Sequence, residues 1–367
     1  MSITTTHFPD LDALRFLAFF GVFCHHCLFL AGTLEGSWLY SVLAVLRDNG
    51  NLGIDFFFTL SSFLITYLAL SEYRKTGRFG FKNFLVRRSL RIWPLYFLII
   101  FIGFVGMPMV AGMVGADVSL PSLGYFMAFL ANFYICDYGL NFLFLLTFLW
   151  SISVEEQFYI FWAFVLKFLK KYLVAVCFLL LGISILFRFF YTHSFCVYYH
   201  PVTYLPNFSM GALLAYSAFY ETAFFKGLKA HVQRWHLGLF YFLVIGLFVF
   251  RQEVFSIPIL EYFDNVVLAL IFSFVIFEQT FLGKSLFKVR RVRGFSVLGK
   301  WSYGLYCYHG VVITLFLKVL ERGILPESVF FKLLVYPAFI LLVTVLVSGV
   351  SYRFFERFFL GFKGNFR

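Results

Sequence analysis

The sequence predicts an all-α integral membrane protein, a single bundle of about ten transmembrane helices with both termini in the cytoplasm. Three observations predict it. Of the 367 residues, 62% are hydrophobic and only 13% are charged, whereas a soluble domain keeps roughly a quarter of its residues charged. Apolar stretches of about 20 residues recur from end to end, the length that crosses a hydrocarbon core of about 30 Å. The basic residues between them fall mostly on alternate loops, as topology signals do.

The spans read at about 11–31, 52–71, 84–105, 145–166, 172–190, 203–220, 236–250, 257–280, 297–317 and 331–352. No polar linker, internal repeat or composition shift divides them, so residues 1–367 read as one domain. The opening MSITTTHFPDLDALRF has no basic leader, and no small-residue cleavage site follows its apolar run, so the first helix is expected to remain as an anchor. With the N-terminus inside, the inner segments hold 23 of the 30 Lys and Arg residues and the outer segments 6; Arg15 lies within the first helix. That bias also decides 122–135, which is apolar enough to suggest a further helix. A crossing there would turn every later basic loop outward. The stretch 107–142 has no Lys or Arg and reads as an outer loop in which 122–135 is re-entrant or interfacial. Irregular backbone at that depth needs protein or a cavity against it.

A net charge of +12 invites a nucleic-acid reading, but the basic residues sit in short loops between spans, so no nucleic-acid partner is expected. The six cysteines, Cys24, Cys27, Cys136, Cys177, Cys196 and Cys307, lack metal-ligand spacing. Most lie in apolar runs, where a free thiol acts as a small hydrophobe. No metal and no disulfide framework are expected; Cys136 with Cys196 on the outer side is the one pair left open.

Ionisable groups inside spans are costly and tend to be functional. Arg15 and His26 are eleven residues apart, so on a helix they share a face about 20° out of line and about 16 Å apart; His25 points elsewhere. Imidazole titrates near neutrality and suits a general base. The alternative, a packed histidine, is outweighed by the aligned Arg15 and the acidic residues that follow. Asp55, near the outer start of the second span, is either a carboxylate at the positive end of a helix dipole or the group that orients His26. Arg87, Arg88 and Arg91 stand at the inner start of the third span. They are explained by topology and snorkelling, or as a phosphate site, since forked guanidinium groups suit phosphates. The string LWSISVEEQFYIFW places Trp150, Ser153, Glu155 and Glu156 at the outer start of the fourth span. Ser151, Glu155 and Tyr159 share one face there, and Glu156 points about 100° away. Tyr306 and His309 line the ninth span with Ser302.

Together these strings resemble the acyltransferase 3 family of membrane-bound O-acyltransferases. LDALRFLAFFGVFCHH resembles its opening motif of an Arg, ten residues and a His, here Arg15 and His26. GIDFFFTLSSFLIT resembles its second motif, with Ser61-Ser62 where Ser-Gly is usual. RRSLRIWPLY, WSISVEEQFY, LGKWSYGLYCYHG and YRFFER resemble the rest, in order and over nearly the whole chain. The resemblance implies a ten-helix fold with cytoplasmic termini and transfer of an acyl group, commonly acetyl from acetyl-CoA, to a hydroxyl of a glycan or glycolipid at the cell (inner) membrane. Relatives with an extracytoplasmic esterase-like domain have a long C-terminal extension. This chain ends about fifteen residues after its last span, so it is expected to work alone or with a separate partner.

The expected mechanism docks the phosphates of acetyl-CoA near Arg87, Arg88, Arg91 and Arg15, and extends the pantetheine arm towards His26. His26 deprotonates the acceptor or briefly carries the acyl group, and Asp55 or Glu155 orients it. Trp150, Ser153, Glu156, Tyr306 and His309 are the expected acceptor-binding residues. The rival reading is a proton-coupled transporter or flippase using the same buried His and carboxylates; a catalytically dead sensor is a third.

Overall fold

Lipid offers no hydrogen-bond partner to a backbone, so apolar runs of this length satisfy their own amides by coiling. The computed structural model describes residues 8–28, 37–113, 117–323, 325–326 and 328–366, and among these every regular element is a helix. Residues 1–7, the outer end of the first expected span at 29–31, and Arg367 lie outside the described residues.

The principal helices are α1 Pro9–Cys27, α2 Trp38–Gly50, α3 Leu52–Thr76, α4 Phe81–Phe101, α5 Leu149–Phe168, α6 Leu173–Tyr191, α7 Leu205–Tyr220, α8 Arg234–Val249, α9 Asp264–Phe281, α10 Ser302–Leu320 and α11 Tyr336–Ser351. Each of the ten sequence-read spans falls on one of them. Among the described residues, six helical stretches are long and apolar enough to cross a membrane, and a seventh arises if Ala223–His231 and α8, bent by 97°, count as one. The helices α1, α5 and α7 fall outside that set for physical reasons. Asp10, Asp12 and Arg15 charge α1, Glu155 and Glu156 charge α5, and α7 has only 16 residues. Their neighbours enclose them. Trp162 on α5, Phe19 on α1 and Phe208 on α7 are fully buried, whereas α6 and α8 turn Phe178, Leu186, Phe242 and Ile245 outward. Polar helices inside and apolar helices outside is the arrangement a bilayer selects.

Two close approaches fix the centre. A Cβ on Gly211 of α7 would stand 2.2 Å from the Thr59 carbonyl oxygen of α3, and one on Gly299 would stand 1.7 Å from the Asp12 oxygen of α1. The second contact seats the short helix Phe295–Lys300 against the N-terminal end of α1, near Arg15.

Three features depart from or refine the sequence reading. The expected outer loop after α1 contains α2, an amphipathic helix capped by Ser37, whose hydroxyl accepts from the Tyr40 amide at 3.1 Å; Trp38, Val42 and Leu46 lie on its exposed side. Residues 122–135 fold as parts of two short helices, Leu123–Met127 and Ala131–Tyr138, around Phe129 at φ 56°. Side chains of the bundle satisfy this backbone: Tyr96 donates to the Phe126 oxygen at 2.7 Å, and Gln157 donates to the Phe129 oxygen at 2.8 Å. The one cysteine pair that the sequence left open is bonded: Cys136–Cys196 joins Ala131–Tyr138 to the turn Phe195–Tyr198 across 60 residues. Cys24, Cys27, Cys177 and Cys307 are free and buried.

Candidate active site

The polar side chains of α1, α3, α4, α5 and α10 converge on three cavities that share Arg88 and Arg91 in their linings. At the end of the bundle where α1 begins, which the sequence reads as the inner end, one of about 420 Å³ and one of about 220 Å³ share Arg88, Arg91 and Lys363 in their linings. Arg15, Arg88, Arg91 and Tyr303 also line a deeper cavity of about 80 Å³. Around the two inner cavities, Arg15, Arg87, Arg88, Arg91, Lys300 and Lys363 face only Asp12, Glu72 and Glu356. An excess of three cations under a low-dielectric roof draws in a polyanion.

Asp12 holds the Arg15 guanidinium at 2.6 Å, one turn away on α1. The i, i+4, i+8 face read from the sequence is present: Ser151, Glu155 and Tyr159 all line the deep cavity. Glu155 accepts hydrogen bonds from the Ser61 and Tyr159 hydroxyls, and the Arg88 guanidinium stands 5.5 Å over the Tyr159 ring. Ser151 and Tyr306 share a hydrogen bond of 2.6 Å at the cavity wall. One turn further along α10, His309 Nδ1 meets the Tyr306 carbonyl oxygen. A carbonyl only accepts, so Nδ1 carries the proton and Nε2 of the neutral ring holds the lone pair. That nitrogen is fully buried with no hydrogen-bond partner among the described residues.

His26 comes next. Its ring centre is 5.7 Å from that of His309, and the Phe148 ring lies 4.7 Å from His26 and 4.4 Å from His309. His25 is committed elsewhere, with Nδ1 on the Arg47 carbonyl of α2 at 2.7 Å.

Several expected residues lie apart from this line. Asp55 does not meet His26. It faces α9, where Asn265 donates to it at 3.2 Å; Arg188 donates to the same Asn265, and Arg251 pairs with neighbouring Asp264 at 2.7 Å. Glu155 has its partners in Ser61 and Tyr159 rather than in His26. Trp150 packs on Tyr198, Tyr199 and Tyr204. Ser153 bonds back to the Leu149 oxygen at 3.0 Å, and Glu156 accepts from the Trp93 indole at 3.1 Å. None of these last three lines the cavities. Arg87 lines the 220 Å³ cavity with both arms of its fork engaged, on Glu72 at 3.0 Å and on the Phe366 oxygen at 2.6 Å. Sequence reasoning missed Lys363, Lys300 and Glu356. The last two lie in LGKWSYG and YRFFER; nothing in the local pattern marks Lys363.

The match to known proteins agrees with this picture. Residues 8–353 match the family model described as an acyltransferase domain. A protein of Staphylococcus aureus strain COL, provisionally named an O-acetyltransferase, is 28% identical over 383 residues, covering 95% of this chain and 57% of its own. O-acetyltransferase OatA of Staphylococcus aureus strain NCTC 8325 is 26% identical over 380 residues with the same coverage. The chain thus spans 57% of the length of these relatives. No solved structure matches it. With the family model covering nearly all of the sequence, the chain belongs to the acyltransferase 3 family.

Proposed function

We propose that this protein is a multi-pass O-acyltransferase of the cell's inner membrane that takes acetyl from cytoplasmic acetyl-CoA and passes it to a hydroxyl of a glycan or glycolipid. The observation that carries the reading is the run of cavities from six basic side chains at the inner end to Glu155, Ser151 and Tyr306. Coenzyme A fits that run by chemistry: a phosphorylated end for the cations and a slender arm for the narrow deep cavity. In the reaction, His26 takes the acceptor's hydroxyl proton and the oxygen bonds to the thioester carbon. The carbon–sulfur bond then breaks, and the thiolate leaves to be reprotonated. Apolar walls such as Phe57, Phe58 and Ile152 keep water from the thioester.

The donor contact is tested at Arg91, which has no hydrogen-bond or ion-pair partner among the described residues. Arg91→Ala is expected to raise the acetyl-CoA KM by tenfold or more, the loss of a charge-assisted contact worth about 1.5–3 kcal/mol. Labelled acetyl-CoA and membranes carrying the protein supply the assay. Unchanged KM in folded Arg91→Ala protein rejects the docking, and no acetyl transfer to any envelope glycan rejects the enzyme reading. A transporter is the weaker reading because the chain's family is one of acyltransferases.

Ten crossings with both termini in the cytoplasm form part of the same proposal. The Cys136–Cys196 bond supports it, because disulfides persist on the oxidising side of a membrane. Cysteines placed at Lys75 and Glu253, both exposed, are expected to react with an impermeant thiol reagent in opened and in intact cells respectively. The buried native thiols leave a low background. Labelling of position 75 in intact cells overturns the orientation.

A further inference from the structure

The segment that follows α11 does not run on as a straight helix. It passes through a π-helical turn, Tyr352–Glu356, and Arg357–Gly361, and then tightens into the 3₁₀ turn Phe362–Phe366. That turn lies against α4, where the Phe366 oxygen accepts from Arg87. The other arm of Arg87 holds Glu72 of α3. A guanidinium occupied by protein at both ends has little left for a ligand. Its neighbour in the same turn, Lys363, is the reverse case. It lines both inner cavities beside Arg88 and Arg91, and among the described residues it has no hydrogen-bonded or ion-paired partner. An ammonium placed next to two guanidinium groups without an anion of its own weakens the ligand-free state. Such a placement is explained by an anion that arrives later.

We propose that Lys363 binds the phosphates of the coenzyme A donor together with Arg88 and Arg91, and that Arg87 is a positioning residue that straps the Phe362–Phe366 turn over the site. This rests on the coenzyme A reading above and revises it at one point: Arg87 acts through the turn, while Lys363 touches the ligand. Because Lys363 borders both inner cavities, it reaches phosphate groups in either.

Calorimetric titration of the purified full chain with coenzyme A tests this, alongside the thermal midpoint of each ligand-free protein. Lys363→Ala is expected to bind about tenfold more weakly, with a ligand-free Tm equal to or above that of the wild type, since a repelling charge has been removed. Lys363→Arg is expected to stay within about twofold of wild type. Arg87→Ala is expected to lose both affinity and Tm, because it releases the turn. Wild-type affinity in Lys363→Ala overturns the proposal. So does a fallen Tm in Lys363→Ala that Lys363→Arg does not restore, which makes the lysine structural. If the wild-type chain itself binds no coenzyme A, the functional reading fails and takes this proposal with it, an outcome distinct from the other two.

Discussion

His26→Ala is expected to abolish acyl transfer while leaving insertion and folding intact, and His25→Ala is expected to retain most activity. Both rings stand in the last turn of α1, their centres 4.7 Å apart, so the comparison separates chemistry from position. His25 is fixed by its bond to the Arg47 carbonyl. Its loss removes one hydrogen bond between α1 and α2, about 0.5–1.5 kcal/mol of stability. His26 has aromatic neighbours, Phe144, Phe148 and His309, and no hydrogen bond to any described residue, which leaves its ring nitrogens for a substrate. A positioned general base contributes roughly 10²–10⁴-fold, so the His26 variant should lose at least that much at matched protein levels. A working His26→Ala enzyme beside a dead His25→Ala enzyme would mean that the wrong face of α1 has been assigned.

The His26 environment shows where the sequence stops being legible. Spans were readable because lipid-crossing helices announce themselves by length and apolarity, and the Ser151, Glu155 and Tyr159 face was readable because helical spacing is local. The alignment of Arg15 with His26 follows from the same geometry. What partners His26 is a question about packing between distant helices. Asp55 lies at the outer start of α3, a plausible orienting carboxylate by pattern, yet α3 turns it towards Asn265 on α9. The neighbour His26 does have, His309, lies 283 positions further along the chain and had been read as an acceptor contact. Lys363 was illegible for another reason. Its place depends on the π-helical turn at Tyr352–Glu356, which re-aims the following residues and which no residue type in YRFFER dictates. The helix α2 was missed because its apolar stripe is too narrow to look like a span, and the Cys136–Cys196 pair stayed open because its bond needs two segments distant in sequence to meet.

The two carboxylates once considered interchangeable partners of His26 should separate on mutation. Glu155 lies at the deep cavity between the hydroxyls of Ser61 and Tyr159 and close to Arg88. Glu155→Gln keeps the shape and, since both hydroxyls donate to one carboxylate oxygen, an acceptor for them, but it removes the negative charge. Preorganised polar groups of this kind are worth about 10²–10³ in kcat, so a loss of that size is expected. Donor binding should not weaken with it. Taking a negative charge away from Arg15, Arg88 and Arg91 leaves the site more attractive to phosphates, so the acetyl-CoA KM should stay level or fall while kcat collapses. Asp55→Asn acts elsewhere. It disturbs the set formed by Asn265, Arg188, Asp264 and Arg251 at the outer end of α9, where a buried polar group left without its partner costs about 1–3 kcal/mol. The expected result is a lower Tm and less folded protein, with kcat per folded molecule close to wild type. Measuring kcat, KM and Tm on both variants distinguishes the two roles. A stable but inactive Asp55→Asn protein beside a competent Glu155→Gln protein would return Asp55 to the chemistry and make Glu155 a packing residue.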